Sequence, residues 1–390
     1  MGGGVTGTTG VGAALLALFA LARCSDAGGG ADDAPFASSG SAGSASTLDS
    51  AGSVRPPEAS GGSGGGEQEP ETTLAGDPGD FIDDEPEPEP EPAASAFPES
   101  PSCAGGKPDA CQGGSCCQRE TVAGGEAMVV APNTSVVLST YVLDKYEVSV
   151  GRFRTFMQGY DDWRDAGNPK TGAGAHPANP GSGWIKDPAW EVELPDSAAV
   201  MRVGLNCNAT QQTWTDQAAF NENKPINCVS WYEAFAFCVW DEGRLLSEAE
   251  WQYAAVGGAQ GRQFAWGNTD LMTNFASYNC LAAGTGASCT ADDIPDVGSR
   301  PDGDGRFGQS DLNGSVLEWT LDWFAPYPEV MRENYVKTDN GTERMLRGGA
   351  WNSTRTELML STNRAYHEPP DFRSSATGFR CAHEAEDSPR

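Results

Sequence analysis

Eleven cysteines, three histidines and a few Asp-Gly turns carry most of the chemistry this chain of 390 residues could perform. Thiolates hold soft metals and imidazoles hold zinc or iron, but only where several converge. Cys103, Cys111, Cys116 and Cys117 are closely spaced. Adjacent Cys116-Cys117 is poor spacing for tetrahedral zinc, and no histidine lies near it. The cluster therefore reads as disulfides, with three pairings that sequence leaves open. Cys280 and Cys289 are spaced to close a local loop. His176, His367 and His383 are scattered, the pattern of surface residues rather than ligands. Ser353 has no Gly-x-Ser-x-Gly elbow around it to make a hydrolytic nucleophile. Asp302-Gly303-Asp304-Gly305-Arg306 opens like a calcium loop, lacks the remaining ligands of one, and reads as a turn.

The elements that must position these groups are legible from about residue 120. Tyr141 to Val148 reads as a strand, and Ser149 caps a helix from Val150 to Gln158. From Asp161 to Asn223 the chain is rich in Gly, Pro and Asn yet carries Trp163, Trp184, Trp190 and Trp214. Tryptophan at that density predicts irregular chain packed onto a body. Ser230 caps a second helix with Trp231, Ala234, Phe235, Cys238 and Val239 on one face, ended by Gly243. Ser247 and Glu250 form a capping box for a third. Short strands punctuated by Gly follow, at Arg344 to Gly349 and Thr377 to Cys381. Few helices, many loops and short strands predict an α+β fold.

Upstream the composition changes. Val11 to Ala22 is apolar, too short to span a bilayer and of the length of a signal-peptide core. It ends at Leu21-Ala22-Arg23-Cys24, which resembles a bacterial lipobox with Arg23 at a usually small position. Cys24 is then the expected lipidation site, and the expected location is the cell envelope, periplasm or exterior. Residues 25–102 combine a Gly-Ser linker with the Glu-Pro run Glu85 to Pro92, too apolar-poor to offset ordering entropy. They predict a disordered stalk holding a folded head away from a membrane. The expected organisation is 1–24 signal peptide with lipobox, 25–102 linker, 103–119 cysteine cluster and 120–385 folded head. A net charge of −30 excludes nucleic acid as a partner and leaves membrane attachment to the lipid alone. Export also makes disulfides the first reading of the cysteines.

Three stretches carry a family resemblance. Arg244-Leu245-Leu246-Ser247-Glu248-Ala249-Glu250-Trp251-Gln252-Tyr253-Ala254 is long and ordered, Asp311-Leu312-Asn313-Gly314-Ser315-Val316-Leu317-Glu318-Trp319 follows it, and Arg347-Gly348-Gly349-Ala350-Trp351 precedes Gly378-Phe379-Arg380-Cys381. Together they resemble the formylglycine-generating enzymes, or sulfatase-modifying factors, over roughly 126–383. The short cysteine cluster resembles a prefix seen before such domains in exported bacterial proteins. The resemblance implies a variant of the C-type lectin fold and a bridge between Cys238 and Cys381. Cys207 and Cys228 then pair by elimination.

The same resemblance bears on chemistry. In the family two cysteines after the Arg-Gly-Gly turn bind copper(I) and oxidise a substrate cysteine; here those positions are Ser353 and Leu358. A hydroxyl is a hard, weak donor and Leu358 offers none, so copper is not expected. The family's serine after the glycines is here Ala350. The iron-dependent branches use clustered histidines, which this chain lacks. Calcium is expected instead, held by the Asp311 side chain and the backbone oxygens of Leu312, Gly314 and Val316, with a second site beginning at Asn274-Phe275. Oxygen-only ligation suits that hard cation. The expectation is a catalytically silent head that binds a peptide, protein or glycan; the alternative is an oxidoreductase of the same superfamily with relocated ligands.

Overall fold

Helix caps and β-branched alternation account for most of the local structure in the computed structural model. It describes residues 97, 99–104, 110–111, 114–128, 135–281, 289–328 and 331–385. The expected signal peptide, Cys24 and nearly all of the expected linker lie outside the described residues. The strands are β1 (Ala110–Cys111), β2 (Gly114–Ser115), β3 (Arg119–Val122), β4 (Gly125–Met128), β5 (Ser135–Leu138), β6 (Tyr141–Asp144), β7 (Arg244–Leu245), β8 (Leu317–Trp323), β9 (Arg344–Arg347), β10 (His367–Glu368), β11 (Thr377–Gly378) and β12 (Cys381–Glu384). The helices are α1 (Val150–Asp165), α2 (Pro188–Glu191), α3 (Ala198–Leu205), α4 (Trp231–Trp240) and α5 (Glu248–Ala255).

Two four-stranded sheets result, in the orders β3-β6-β12-β7 and β10-β9-β8-β11, with hairpins β1-β2 and β4-β5 beside them. Pairing is antiparallel except where β11 joins β8. This is a mixed arrangement of helices and mostly antiparallel strands. Helix α4 sits inside it: Trp231 to Cys238 are all buried, which is why its sequence is apolar nearly all round. Phe153, Phe156 and Tyr160 of α1 pack on it from one side, and Trp319 and Phe379 lie in the same core.

Several features depart from sequence expectation. Helix α1 runs on to Asp165, past Gly159, because Tyr160 and Trp163 continue the apolar stripe of Phe153 and Phe156. The stretch 161–223 contains α2 and α3 as well as loops, each started by an Asp or Ser side-chain cap. The ordered body begins before residue 103. Ser102 is buried, its amide donating to Asp241 at 2.7 Å and its hydroxyl accepting from Arg152 Nε at 3.0 Å. Arg152 also pairs with Asp144 at 2.8 Å and Asp241 at 2.6 Å, so the segment completes a buried charge network.

The described cysteines form five disulfides: Cys103–Cys117, Cys111–Cys116, Cys207–Cys228, Cys238–Cys381 and Cys280–Cys289. The Cys238–Cys381 bridge closes a loop with a sequence separation of 143 and ties α4 to β12. Loop closure of that length is worth on the order of 4–5 kcal/mol in the chain-entropy description.

Candidate functional site

Strand β9 ends in Arg347, and the next two residues turn the chain in conformations that favour glycine, with φ 104° at Gly348 and 75° at Gly349. Arg347 fixes the turn from below. Wholly buried, it donates to Gln252 Oε1 at 2.6 Å and to the Ser361 carbonyl oxygen at 2.8 Å, over the Trp251 ring. Gln252 and Trp251 belong to α5, so the capped helix exists in part to hold this turn. Gly349 is needed for space too: a Cβ there would lie 2.6 Å from Met359 Sδ and 2.9 Å from the Leu358 carbonyl oxygen. That close approach brings Leu358 over the segment containing Ser353.

Ser353 and Leu358 both line one cavity of about 320 Å³, with Ala350, Tyr366, Glu368 and Phe372 among its other walls. Leu317 of β8 and Leu346 of β9 lie beneath. Ser353 is nearly buried and its polar atoms are spent locally. Its hydroxyl accepts from the Ala350 amide at 3.0 Å, its amide donates to the Ala350 carbonyl at 2.8 Å, and its carbonyl accepts from Asn279 at 3.0 Å. The Cys280 amide donates to the Trp351 carbonyl at 2.8 Å, so a cysteine does lie against this turn, but it is already bridged to Cys289. Glu368 is the acidic group of the cavity; burial, then Glu343, raise its carboxyl above the usual range, against His367.

The turn is hydrogen-bonded to the second element of interest. The Gly314 amide donates to the Gly348 carbonyl at 2.9 Å, and the Trp351 amide to the Ser315 carbonyl at 2.7 Å. In this element Asp311 and Ser315 take positive φ, 61° and 58°, and Gly314 φ 103°. The carbonyl oxygens of Leu312 and Val316 both face Gly348, 3.0 Å and 3.8 Å from where its Cβ would stand. Asp311 is buried and its carboxylate accepts from the Gly298 amide at 2.5 Å.

A second buried carboxylate, Glu147, reaches the same element, accepting from Ser315 Oγ at 2.7 Å and the Val316 amide at 3.1 Å. It follows directly on strand β6 in the Tyr146-Glu147-Val148 stretch that sequence reading took only as a strand. Burial pushes the Asp311 carboxyl up to about 6, with Asp304 and Glu318 adding to it while Gly298 and Arg380 oppose it. Burial, then Asp311 and Glu318, push Glu147 well above the ordinary carboxylate range. Arg380 offsets this only in part, because its fork is bidentate to Glu318 at 2.7 and 2.8 Å. Two buried carboxyls without an ion-pair partner among the described residues are oxygen donors of the kind a hard divalent cation takes. The hydroxyl and hydrocarbon at Ser353 and Leu358 do not fit copper(I).

The remaining sequence candidates lie elsewhere. Asn274 is exposed and donates to Asp302 at 3.2 Å, while the Phe275 carbonyl is pressed against Gly303 and its ring stacks on Trp266 at 5.2 Å. The Asp302 turn and the Asn274 pair, separate in the sequence reading, are thus neighbours. The histidines do not converge, and two of them correct the expectation of surface residues. His176 is buried against Glu250 at 3.3 Å and His383 against Asp144 at 3.2 Å. Both carboxylates come from distant parts of the chain and need a buried donor. His367 pairs with Glu343 at 2.8 Å and stacks on Phe324. Among the described residues, no three of His, Cys, Asp and Glu side chains converge as a metal-binding group.

Residues 96–385, which hold this Gly-Gly turn and the Asp-x-x-Gly element, match the model of the sulfatase-modifying factor enzyme 1-like domain. The chain belongs to that family. A formylglycine-generating enzyme of Streptomyces coelicolor is 35% identical over 183 residues, 42% of this chain and 54% of that protein. The mouse formylglycine-generating enzyme is 28% identical over 275 residues, 65% of this chain and 68% of the relative. A mouse protein described as an inactive C-alpha-formylglycine-generating enzyme 2 is 32% identical over 168 residues, 41% of this chain and 49% of that one. The match thus spans about half the length of two of these three relatives. The family therefore includes both active and inactive members among the relatives of this chain.

Proposed function

We propose that this protein is an exported, lipid-anchored member of the sulfatase-modifying factor family, in a C-type-lectin-like fold, that binds a peptide, protein or glycan without oxidising it. One observation carries this reading: both family catalytic positions, Ser353 and Leu358, line the same cavity of about 320 Å³, and neither supplies a thiol. The walls suit a ligand with an apolar part, from Leu317, Leu346, Leu358 and Phe372, and a few polar groups, from Glu368 and Tyr366. Likeness to a relative described as inactive supports the loss of catalysis. Five disulfides support an oxidising location, and Cys24 supplies the membrane tether. Calcium, through Asp311 and the Leu312, Gly314 and Val316 carbonyls, stiffens the element on which the turn rests.

The test has two arms. The purified protein is incubated with copper and a Cys-x-Pro-x-Arg peptide; formylglycine in the mass spectrum would overturn the silent reading. In parallel, peptide and glycan arrays are probed with the native chain and with Leu358→Trp, whose larger side chain fills the cavity. Ligands bound by the first and lost at least tenfold by the second place recognition in the cavity; equal binding sinks that assignment.

A further inference from the structure

Five arginines lie fully inside the protein: Arg347, which approaches Glu248 at 3.5 Å from beneath the Gly-Gly turn, and four others. Arg152, Arg244 and Arg380 each hold a carboxylate at 2.6–2.8 Å. Arg344 does not. It is 3% exposed, and its guanidinium lies 3.7 Å from the Trp231 ring centroid and 3.5 Å from that of Trp323. Nη1 donates to the Leu321 carbonyl oxygen at 2.7 Å, and among the described residues Nε has no hydrogen-bond partner.

The charged groups around it are engaged elsewhere. Asp322 accepts from the amides of Glu248 and Lys337, both at 2.7 Å, and burial, then Glu248, raise its carboxyl to about 7. Asp339 is held by Lys337 Nζ at 2.8 Å. Tyr232 is a neutral phenol, raised to about 12 by burial and then Glu193. Burial pulls Arg344 down to about 9 against Tyr232 and Asp322. A buried cation with no anion is costly, and two ring faces offset only part of that cost.

Beside this guanidinium is a cavity of about 140 Å³, walled by Ser182, Ile185, Trp190, Trp323, Thr338 and Asn340. None of its lining residues belongs to the cavity of Ser353. We propose that Arg344 and this cavity form a second binding site, for the carboxylate of an acidic sugar. The planar fork of a guanidinium matches a carboxylate, one of its N–H groups is unsatisfied, and the one acidic wall of the cavity, Asp339, is held by Lys337. The indoles of Trp190 and Trp323 give apolar walls for ring C–H groups, and Ser182, Thr338 and Asn340 give hydroxyl and amide partners for ring hydroxyls. The space suits one ring rather than an extended peptide. This assignment is independent of what the Ser353 cavity binds.

Indole fluorescence of the full chain reports the site, because its cation is bounded by tryptophans. Titration with glucuronate should give a saturable change, at least tenfold tighter than with glucose. Arg344→Gln should abolish it. Because Arg344→Gln removes a buried stacking partner and can unfold the protein, Ile185→Glu is the second variant: Ile185 is 44% exposed, so the fold survives, and a negative charge at the mouth should weaken glucuronate at least tenfold. No saturable response in the folded native chain, or an equal response in Ile185→Glu, overturns the site and leaves Arg344 a structural stack. A response to the free C-terminus of a short peptide but not to glucuronate overturns the sugar assignment.

Discussion

Two elements inherited from the same family lie against each other here and have met different fates. In the turn after Arg347, the groups that would hold copper are a hydroxyl and a hydrocarbon, and the remaining polar atoms of Ser353 satisfy the turn itself. In the Asp311–Val316 element the oxygen donors remain, and Asp311 and Glu147 stay electrostatically unsatisfied. In the first the polar atoms of Ser353 are satisfied within the protein; in the second two buried carboxyls have no ion-pair partner among the described residues. Side chains on this turn can change while its backbone is kept, because Gly348, Gly349 and Arg347 are demanded by packing. The charge-bearing element is harder to give up, since it braces the turn through Gly314 and Trp351.

The comparison breaks most visibly if the lost donors are put back. Ser353→Cys with Leu358→Cys should make the chain compete for copper(I) with a chelator of known affinity, tighter than native by several orders of magnitude, since two thiolates replace none. Continued failure to bind would mean that the turn has moved beyond its ligands. Calcium should produce the next largest effect. At a hundredfold excess over its Kd it should add about 2.7 kcal/mol, roughly 5–10 °C in Tm. Asp311→Gly, which tolerates φ 61° but has no carboxylate, should erase that shift. An unchanged calcium response in Asp311→Gly would remove Asp311 from the site.

Acidity sharpens the same contrast without added metal. The Asp311 carboxyl is near 6 when folded and 3.8 ordinarily, so the folded state holds the proton more tightly. Its stabilising contribution is present below pH 4 and is lost as pH rises through 6, on the order of 1 kcal/mol between pH 5 and 7. In chelator, the native chain should therefore melt a few degrees higher at pH 5 than at pH 7. Asp311→Asn, which also accepts the left-handed backbone, should flatten that part of the slope and separates it from the relief of overall negative charge. Asp144 and Glu250 act with the opposite sign. Burial alone would raise them, but Arg152 and Arg244, joined by His383 and His176, hold both far below the ordinary range. Their stabilisation is present above about pH 4 and is lost on further acidification. A native chain whose Tm falls monotonically from pH 7 to 5 in chelator would contradict the unsatisfied state of Asp311.

What sequence disclosed was local, and what it hid was distant. The caps at Ser149, Ser230 and Ser247 are written within three residues of the amides they satisfy, and all three are made. The Gly-Gly turn and the Asp311 element were legible for the same reason. Glu147 was not, since its partner Val316 is 169 residues away and nothing near it in sequence signals a missing charge. His383 likewise finds Asp144 across 239 residues, which is why three scattered histidines looked like surface groups. Cys280 was legible as half of a loop but not as the neighbour of Trp351. The stripe that carries α1 past Gly159 is held by distant partners, Trp240 beside Gly159 and the Pro195 carbonyl that accepts from Tyr160, which local propensity does not see.

The smallest expected effect tests whether Ser353 is now a strut. Ser353→Ala removes the acceptor of the Ala350 amide and leaves that buried N–H without its hydrogen bond, at a cost of about 1 kcal/mol. Tm should fall by roughly 2–4 °C. The cavity gains only the volume of one oxygen, so any ligand that Leu358→Trp excludes should bind Ser353→Ala within about threefold of native. A fall in Tm with binding preserved assigns the hydroxyl to the turn. Unchanged Tm with binding lost tenfold would assign it to the ligand instead. Ser353 would then be a recognition group standing where the family keeps a metal ligand, and the contrast between a satisfied turn and an unsatisfied pair of carboxyls would fail on its first side.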